Sequence, residues 1–276
     1  MSVTAKQVQD LRKMSGAGMM DCKAALSEND ADIDLAFQWL REKGIAKAQK
    51  KSTRDANEGL VSIMSNDTGT AIVEINSETD FVSRNKDFHA LVKKITQIVL
   101  DAKNNPESVK DNVSTIINDA IGVIGENIVF KRSNFIEGKT YSYIHNSLGE
   151  NLGKIGVLLD INSEPDSDLS GMGKNICMHI AATSPKSLDE SSLDEYIIET
   201  EKNIIKEQLK ESGKPDEIIE KMLDGKMKKF FEEVILLNQK YVIDPSMTIS
   251  GLLEEASNNS SSKISINSFI RYELGQ

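Results

Sequence analysis

Cysteine occurs only twice and tryptophan only once in the 276 residues, and aromatic residues make up 5%. Cys22 and Cys177 lie far apart, each without a second cysteine nearby. That excludes a CxxC pair for zinc or dithiol chemistry and fits two buried thiols in a reducing compartment. With so few rings, much of the core must be aliphatic. No apolar stretch approaches the roughly 18 residues that cross a bilayer, and Met1 to Asp10 lack the apolar run of a signal peptide. A cytoplasmic protein is expected. Basic charge is short as well, the formal net charge being −10. Affinity built on phosphate contacts normally shows a basic face, so this balance argues against nucleic acid and anionic membrane. The one cationic stretch, Lys43 to Lys51, reads as a solvated helix end or as a nucleic-acid contact.

Catalytic constellations are missing too. His89, His145 and His179 do not stand at ligand spacing with carboxylates or thiols. His89 reads as a helix-surface residue and His179 as a packed helix residue. Neither a GxSxG elbow nor an HExxH helix occurs. A phosphate loop needs two glycines with four residues between them, then Lys and a hydroxyl residue. The nearest approach, Asp168 to Asn175, has Gly173-Lys174 but Asp168 for the first glycine and Asn175 for the hydroxyl. Asn85-Lys86-Asp87 falls short of a guanine-reading Asn-Lys-x-Asp because Phe88 fills the last position. No cofactor, no metal site, no direct nucleotide binding and no enzymatic activity are expected.

What is present is a soluble-protein balance of 28% charged and 39% hydrophobic residues. The length suits about two domains and a sizeable core. Thr4 with Gln7 three residues on predicts a capped helix. A Ser15-Gly16-Ala17-Gly18 turn, a helix over Met19 to Glu28, an Asn29-Asp30 break and a third helix carrying Ile33, Ala36, Phe37 and Leu40 follow. Together they suggest a ubiquitin-associated-like three-helix bundle, with Lys43 to Lys51 leading away as a charged linker. Leu60 to Met64 and Ala71 to Ile75 read as a hairpin, with Ala71, Val73 and Ile75 alternating onto one face. Two helices follow, one with Phe88, Leu91, Val92, Ile95 and Val99, the other with Val109, Val113, Ile116, Ile117 and Ala120. A strand is expected over Ile128 to Phe135.

The pattern then repeats: strands over Tyr141 to His145 and Lys154 to Ile161, a helix over Leu169 to Ala182, and a third strand delayed to Ile264 to Leu274. Between them lie two helical arms joined at Ser212-Gly213-Lys214-Pro215. The first carries Leu193, Ile197, Ile204 and Ile205, the second Ile219, Met222, Leu223 and Phe230. The expected fold is α+β: the bundle and linker (1–54), a first lobe (55–140), and a second lobe (141–186 and 232–276) interrupted by an antiparallel helical hairpin (187–231). The hairpin's apolar stripe is covered by its own pairing, by a partner or by a second copy, which leaves self-association open.

At Met14-Ser15-Gly16-Ala17-Gly18-Met19-Met20-Asp21-Cys22-Lys23 the bundle closely resembles the N-terminal signature of the elongation factor Ts family. Asn76-Ser77-Glu78-Thr79-Asp80-Phe81-Val82 resembles that family's second signature. Further matches are Ile124-Gly125-Glu126-Asn127, His179-Ile180-Ala181-Ala182, Ser212-Gly213-Lys214-Pro215 and Phe269-Ile270-Arg271-Tyr272-Glu273. The ordered set spans the chain. It implies a partner, the GTPase elongation factor Tu, and the role of guanine-nucleotide exchange factor in translation elongation. It also implies that the loop Thr79, Asp80, Phe81 and Val82 enters the GTPase near its magnesium site, with Phe81 wedged between helices. The same resemblance puts Arg12, Met19, Met20, Ile124, Gly125, His145, Val242 and Ile243 in partner contacts.

From the residues alone, the favoured reading makes Asp80 a helix cap and Phe81 a side chain packed on its own lobe; an exposed Phe81 serving as a binding anchor is the other. Met19 and Met20 point about 100° apart on their helix, so both are not expected to be buried in one small bundle; core packing of at least one is the alternative to a partner contact. Val242 and Ile243 read equally as a buried strand. Ser15 stands where Thr is more usual and Ser77 where Cys is. The chain ends at Gln276 without the C-terminal helical extension of many relatives, so no contact from that extension is expected. The alternative function is a non-catalytic adaptor that uses the bundle and hairpin to bind another protein.

Overall fold

The computed structural model describes residues 3–164, 168–210 and 215–276. The chain divides into two units, one of residues 1–137, 146–154 and 272–276, the other of 138–145 and 155–271. The first begins with α1 (Ala5–Ser15), α2 (Met19–Glu28) and α3 (Ile33–Lys51). Thr4 and Gln7 form the expected capping box: the Gln7 N–H donates to Thr4 Oγ1 at 3.3 Å, and the Thr4 N–H to Gln7 Oε1 at 3.0 Å. Val8, Leu11, Cys22, Ala25, Leu26 and Ala36 form the bundle core.

The expected linker over Lys43 to Lys51 is instead the last part of α3. Gly44 lies inside α3, at a cost in helix propensity of about 1 kcal/mol. Its bare Cα lies against Gly122 of α6 (Pro106–Ile124), where an added Cβ at Gly122 would meet Gly44 Cα at 3.2 Å. Two glycines at a crossing let the helices approach closely enough to dock the bundle on the lobe.

The lobe follows the expected order. β1 (Glu58–Asn66) and β2 (Gly69–Ser77) form a hairpin in register from Glu58↔Ser77 to Asn66↔Gly69. After α4 (Asp80–Ser83), α5 (Lys86–Asp101) and α6 comes β3 (Ile128–Glu137). β3 pairs antiparallel with β2, and a register shift falls between Glu74 and Ile75. The chain then forms β4 (Tyr141–His145), in the second unit, and the two-residue β5 (Leu152–Gly153), an unexpected edge strand. The first sheet runs β3-β2-β1-β5. Ala71, Val73 and Ile75 face a core completed by Phe88, Val92, Ile95 and Val99 of α5 and Val109, Val113 and Ile117 of α6.

One-sided burial was expected of β2, yet all nine of its residues are buried. On the second face Glu74 is fully buried. Its carboxylate accepts from Arg132 Nε at 2.7 Å and from the Gly275 N–H at 3.1 Å. Arg132 also donates to the Glu273 carbonyl at 3.0 Å, and its guanidinium lies 4.3 Å from the Tyr272 ring centroid. One cross-strand ion pair therefore ties the last residues of the chain to the first sheet.

In the second unit β4, β6 (Ile155–Glu164) and β7 (Lys263–Glu273) form a sheet in the order β4-β6-β7. Val157, Leu159 and Ile161 pack with Ile176, Cys177 and Ile180 of α7 (Ser170–Thr183). Burial pushes the Cys177 thiol up to about 12, so it is inert packing. Gly173 and Lys174 lie inside α7 rather than on a loop.

The hairpin is α8 (Glu195–Lys210) and α9 (Asp216–Val234). Ser212-Gly213-Lys214 lies outside the described residues, and Pro215 stands at the N-cap of α9. Ile205, Leu209, Ile219, Leu223 and Met227 bury against one another. Ile204, expected on that stripe, is exposed, one residue and therefore about 100° away from Ile205. Leu193 is buried but precedes α8. A helix the sequence did not announce, α10 (Ile249–Ser260), adds Ile249 and Leu253 to the second core.

Replacing Arg132 by Ala leaves Glu74 as an unpaired buried carboxylate. Because Arg132 itself is partly exposed, the loss is expected at the low end of the range for such pairs, about 3 kcal/mol. Urea unfolding checks this, and an unchanged midpoint contradicts it.

Candidate partner-binding site

β2 delivers the chain to α4, and the pairing of β2 with β3 ends at Ser77↔Ile128. α4 has only four residues, too few to hold itself by helical hydrogen bonds. Successive residues point to different sides: Val82 turns into the lobe core, while Phe81 is 80% exposed. Asp80 opens the helix, with Arg84 Nη2 at 3.4 Å from its carboxylate. The cap position belongs to Thr79, not Asp80, and Phe81 does not pack on its own lobe. Below the turn, the Ser83 carbonyl meets His89 Nε2 at 2.8 Å, so that nitrogen carries the proton. His89, expected at the helix surface, is half-buried and joins α5 to α4.

Thr79 makes no capping bond within α4. Its N–H and hydroxyl both donate to the Glu126 carboxylate, at 3.0 Å and 2.6 Å. In return the Asn127 N–H donates to Glu78 Oε1 at 2.6 Å. Asn127 Nδ2 donates to the Arg54 carbonyl at 2.7 Å, and Arg54 Nη1 lies 3.4 Å from Glu78. Gly125, at φ 86°, ends α6 in the left-handed conformation that suits glycine, and Lys51 Nζ donates to its carbonyl. The Asp80–Phe81 turn and the Ile124–Gly125 turn are thus joined by two exchanged carboxylates. Gly125 is exposed, and Ile124 packs partly against the core.

On the bundle, Arg12 is exposed, and so are both Met19 (59%) and Met20 (77%). Core packing of at least one methionine was the alternative reading, but the buried face of α2 begins at Cys22 and continues with Ala25 and Leu26. Met14 and Val123 are exposed as well. Both were missed, because nothing in their spacing separates an exposed apolar residue from a buried one. Flexible thioethers left in water suit a surface that adapts to a partner.

In the second unit His145 is exposed, with the Tyr143 hydroxyl 3.0 Å from its Nδ1. Val242 and Ile243, which read equally as a buried strand, stand on a loop at 45% and 54% exposure. The loop is closed by local bonds. The Tyr241 N–H donates to the Met247 carbonyl at 3.0 Å, and Asp244 accepts from the Ser246 hydroxyl at 2.6 Å. His179, fully buried on α7, supports it: the Val242 N–H donates to His179 Nδ1 at 3.3 Å. With Nδ1 accepting, the proton sits on Nε2 and donates to Gln239 Oε1 at 2.9 Å. That ring is neutral, and burial pushes its pKa below the ordinary value, against the opposing pull of Gln239.

These elements define a class: an α+β chain, helical bundle first, that presents single apolar side chains on braced turns. Among the described residues no cluster of metal-ligating side chains occurs, and no helix is long and apolar enough to cross a membrane. Residues 78–276 match the family model described as Elongation factor TS. An elongation factor Ts of Bartonella tribocorum is 47% identical over the whole chain and 94% of its own length. That of Paracoccus denitrificans is 49% identical over 93% of this chain and 88% of its own. The chain belongs to the elongation factor Ts family. Membership implies a nucleotide-exchange factor for elongation factor Tu in translation.

The neutral His179 carries a pH dependence. Its folded pKa is depressed, so its contribution to stability is complete above the unfolded value of about 6.5 and falls as pH drops below it. Thermal melts at pH 7.5 and 5.5 should show a larger drop for the wild type than for His179→Gln; equal drops contradict the assignment.

Proposed function

We propose that this chain binds elongation factor Tu in its GDP-bound form and promotes GDP release by inserting Phe81, with Asp80 beside it, near the partner's magnesium site. The observation that carries this is an aromatic side chain held in water on a turn whose next residue is locked in the core. Such an exposed Phe is available as an anchor, worth about 2 kcal/mol or more once buried at an interface. Magnesium neutralises phosphate charge, so shifting the groups that hold it weakens GDP binding. The factor need only bind the nucleotide-poor state better; by linkage, incoming nucleotide then weakens the factor to the same extent and releases it. Bond chemistry stays with the GTPase.

Arg12, Met19, Met20, Ile124 and Gly125 extend the contact on the first unit, and His145, Val242 and Ile243 supply it on the second. Thr79 and Val82 support it by fixing the turn. Pairing of α8 with α9 accounts for most of the hairpin's apolar stripe, leaving, among the described residues, Tyr196, Ile204 and Ile218 as a surface for a second copy. In this reading the protein works in the cytoplasm and binds neither nucleotide nor nucleic acid directly.

Release of labelled GDP from elongation factor Tu tests the proposal. The wild type should accelerate release. Phe81→Ala should need about 30-fold more protein for the same rate, as a loss of about 2 kcal/mol requires. Asp80→Ala and a Val242→Ser/Ile243→Ser double variant should also be impaired. No acceleration by the wild type, or full activity of Phe81→Ala, overturns it.

A further inference from the structure

We propose that Glu78 and Glu126 are positioning residues: by exchanging carboxylates beyond the end of the β2–β3 ladder, they hold the Phe81 turn and the Ile124–Gly125 turn as one rigid docking surface. The inference rests on the reading of Phe81 as the anchor. Its basis is the geometry at Thr79. A threonine at an N-cap ordinarily turns its oxygen to the helix N–H groups that follow. Here that hydroxyl donates instead to Glu126 at 2.6 Å, and the Thr79 N–H joins it at 3.0 Å. The lost cap leaves a four-residue helix whose orientation depends on a carboxylate 47 residues away.

Glu78 makes the reverse connection at 2.6 Å to the Asn127 N–H. Both acceptors are charged, and such bonds are shorter and about twice as strong as neutral ones. Both are also braced from α3 and the segment after it, through Arg54 beside Glu78 and Lys51 on the Gly125 carbonyl. A turn ordered before binding does not have to be ordered during it, which is where such residues act on affinity.

The experiment is a double-mutant cycle on the intact protein, read by GDP release from elongation factor Tu as the concentration for half-maximal acceleration. Glu126→Ala should raise that concentration on the order of tenfold. In the Phe81→Ala background the same change should add no more than about twofold, the share of the Ile124–Gly125 turn that remains, because a misplaced anchor costs nothing once the anchor is gone. Glu126→Gln, which keeps an oxygen for the Thr79 N–H, should recover part of the loss. Thr79→Val, which removes only the hydroxyl, runs the same cycle if Glu126→Ala does not fold. Wild-type behaviour of Glu126→Ala and Thr79→Val beside an impaired Phe81→Ala overturns the positioning role and leaves the anchor standing. Losses that add independently of Phe81 overturn it too. Full activity of Phe81→Ala removes the anchor, and this inference falls with it.

Discussion

Beyond Ser77 and Ile128 the β2–β3 ladder stops, and the backbone amides of Thr79 and Asn127 are completed by the side chains of Glu126 and Glu78. Strand pairing normally ends in solvent-facing amides or in a tight turn. Here it ends in two charged acceptors, each belonging to the opposite segment. α4 is too short to orient itself, so the outward direction of Phe81 depends on this exchange, on Val82 in the core and on His89 beneath. The same exchange fixes the end of α6, and through Lys51 and Arg54 it reaches α3 and the segment leading to β1. Bundle, sheet and turn in the first unit are therefore linked by one network of bonds into a single body.

Two other constraints let that body exist with so few aromatic residues. The largely aliphatic core of α5, α6 and one face of β2 is flanked by a glycine contact between α3 and α6, where close backbone approach replaces large side chains. The opposite face of β2 would be a poor place for Glu74 without Arg132, since an isolated buried carboxylate is strongly disfavoured. The second unit makes a similar choice with a neutral ring. His179 gives one nitrogen to Gln239 and offers the other to the Val242 amide, so a loop that exposes two aliphatic side chains is held from a buried helix.

Local signals in the sequence carried the α+β class and most elements. The capping box at Thr4, the span of α2 and the hairpin of β1 and β2 follow from residues a few positions apart. Errors came where contacts between distant residues override local propensity. Lys43 to Lys51 reads as a linker, whereas α3 runs on through it with Gly44 packed on Gly122 of α6. Val242 and Ile243 read equally as a buried strand, and the loop that keeps them out of the core is held by its own local bonds and by His179, some sixty residues away. Glu78 and Glu126 look like ordinary surface acids, and no spacing rule links them. The candidate site was legible only through resemblance; exposure of Phe81, Met19 and Met20 became visible once folding had decided which apolar residues the cores had no room for.

The most direct measurement places a reporter at the proposed anchor. In a Trp39→Phe background the chain has no tryptophan, so Phe81→Trp introduces a single fluorophore at that turn. Free in solution it should emit as a solvent-exposed indole. On titration with elongation factor Tu bound to GDP, burial between helices of the GTPase predicts a blue shift that saturates together with GDP release. Emission that stays at the solvent-exposed wavelength while GDP release is accelerated would contradict the wedge.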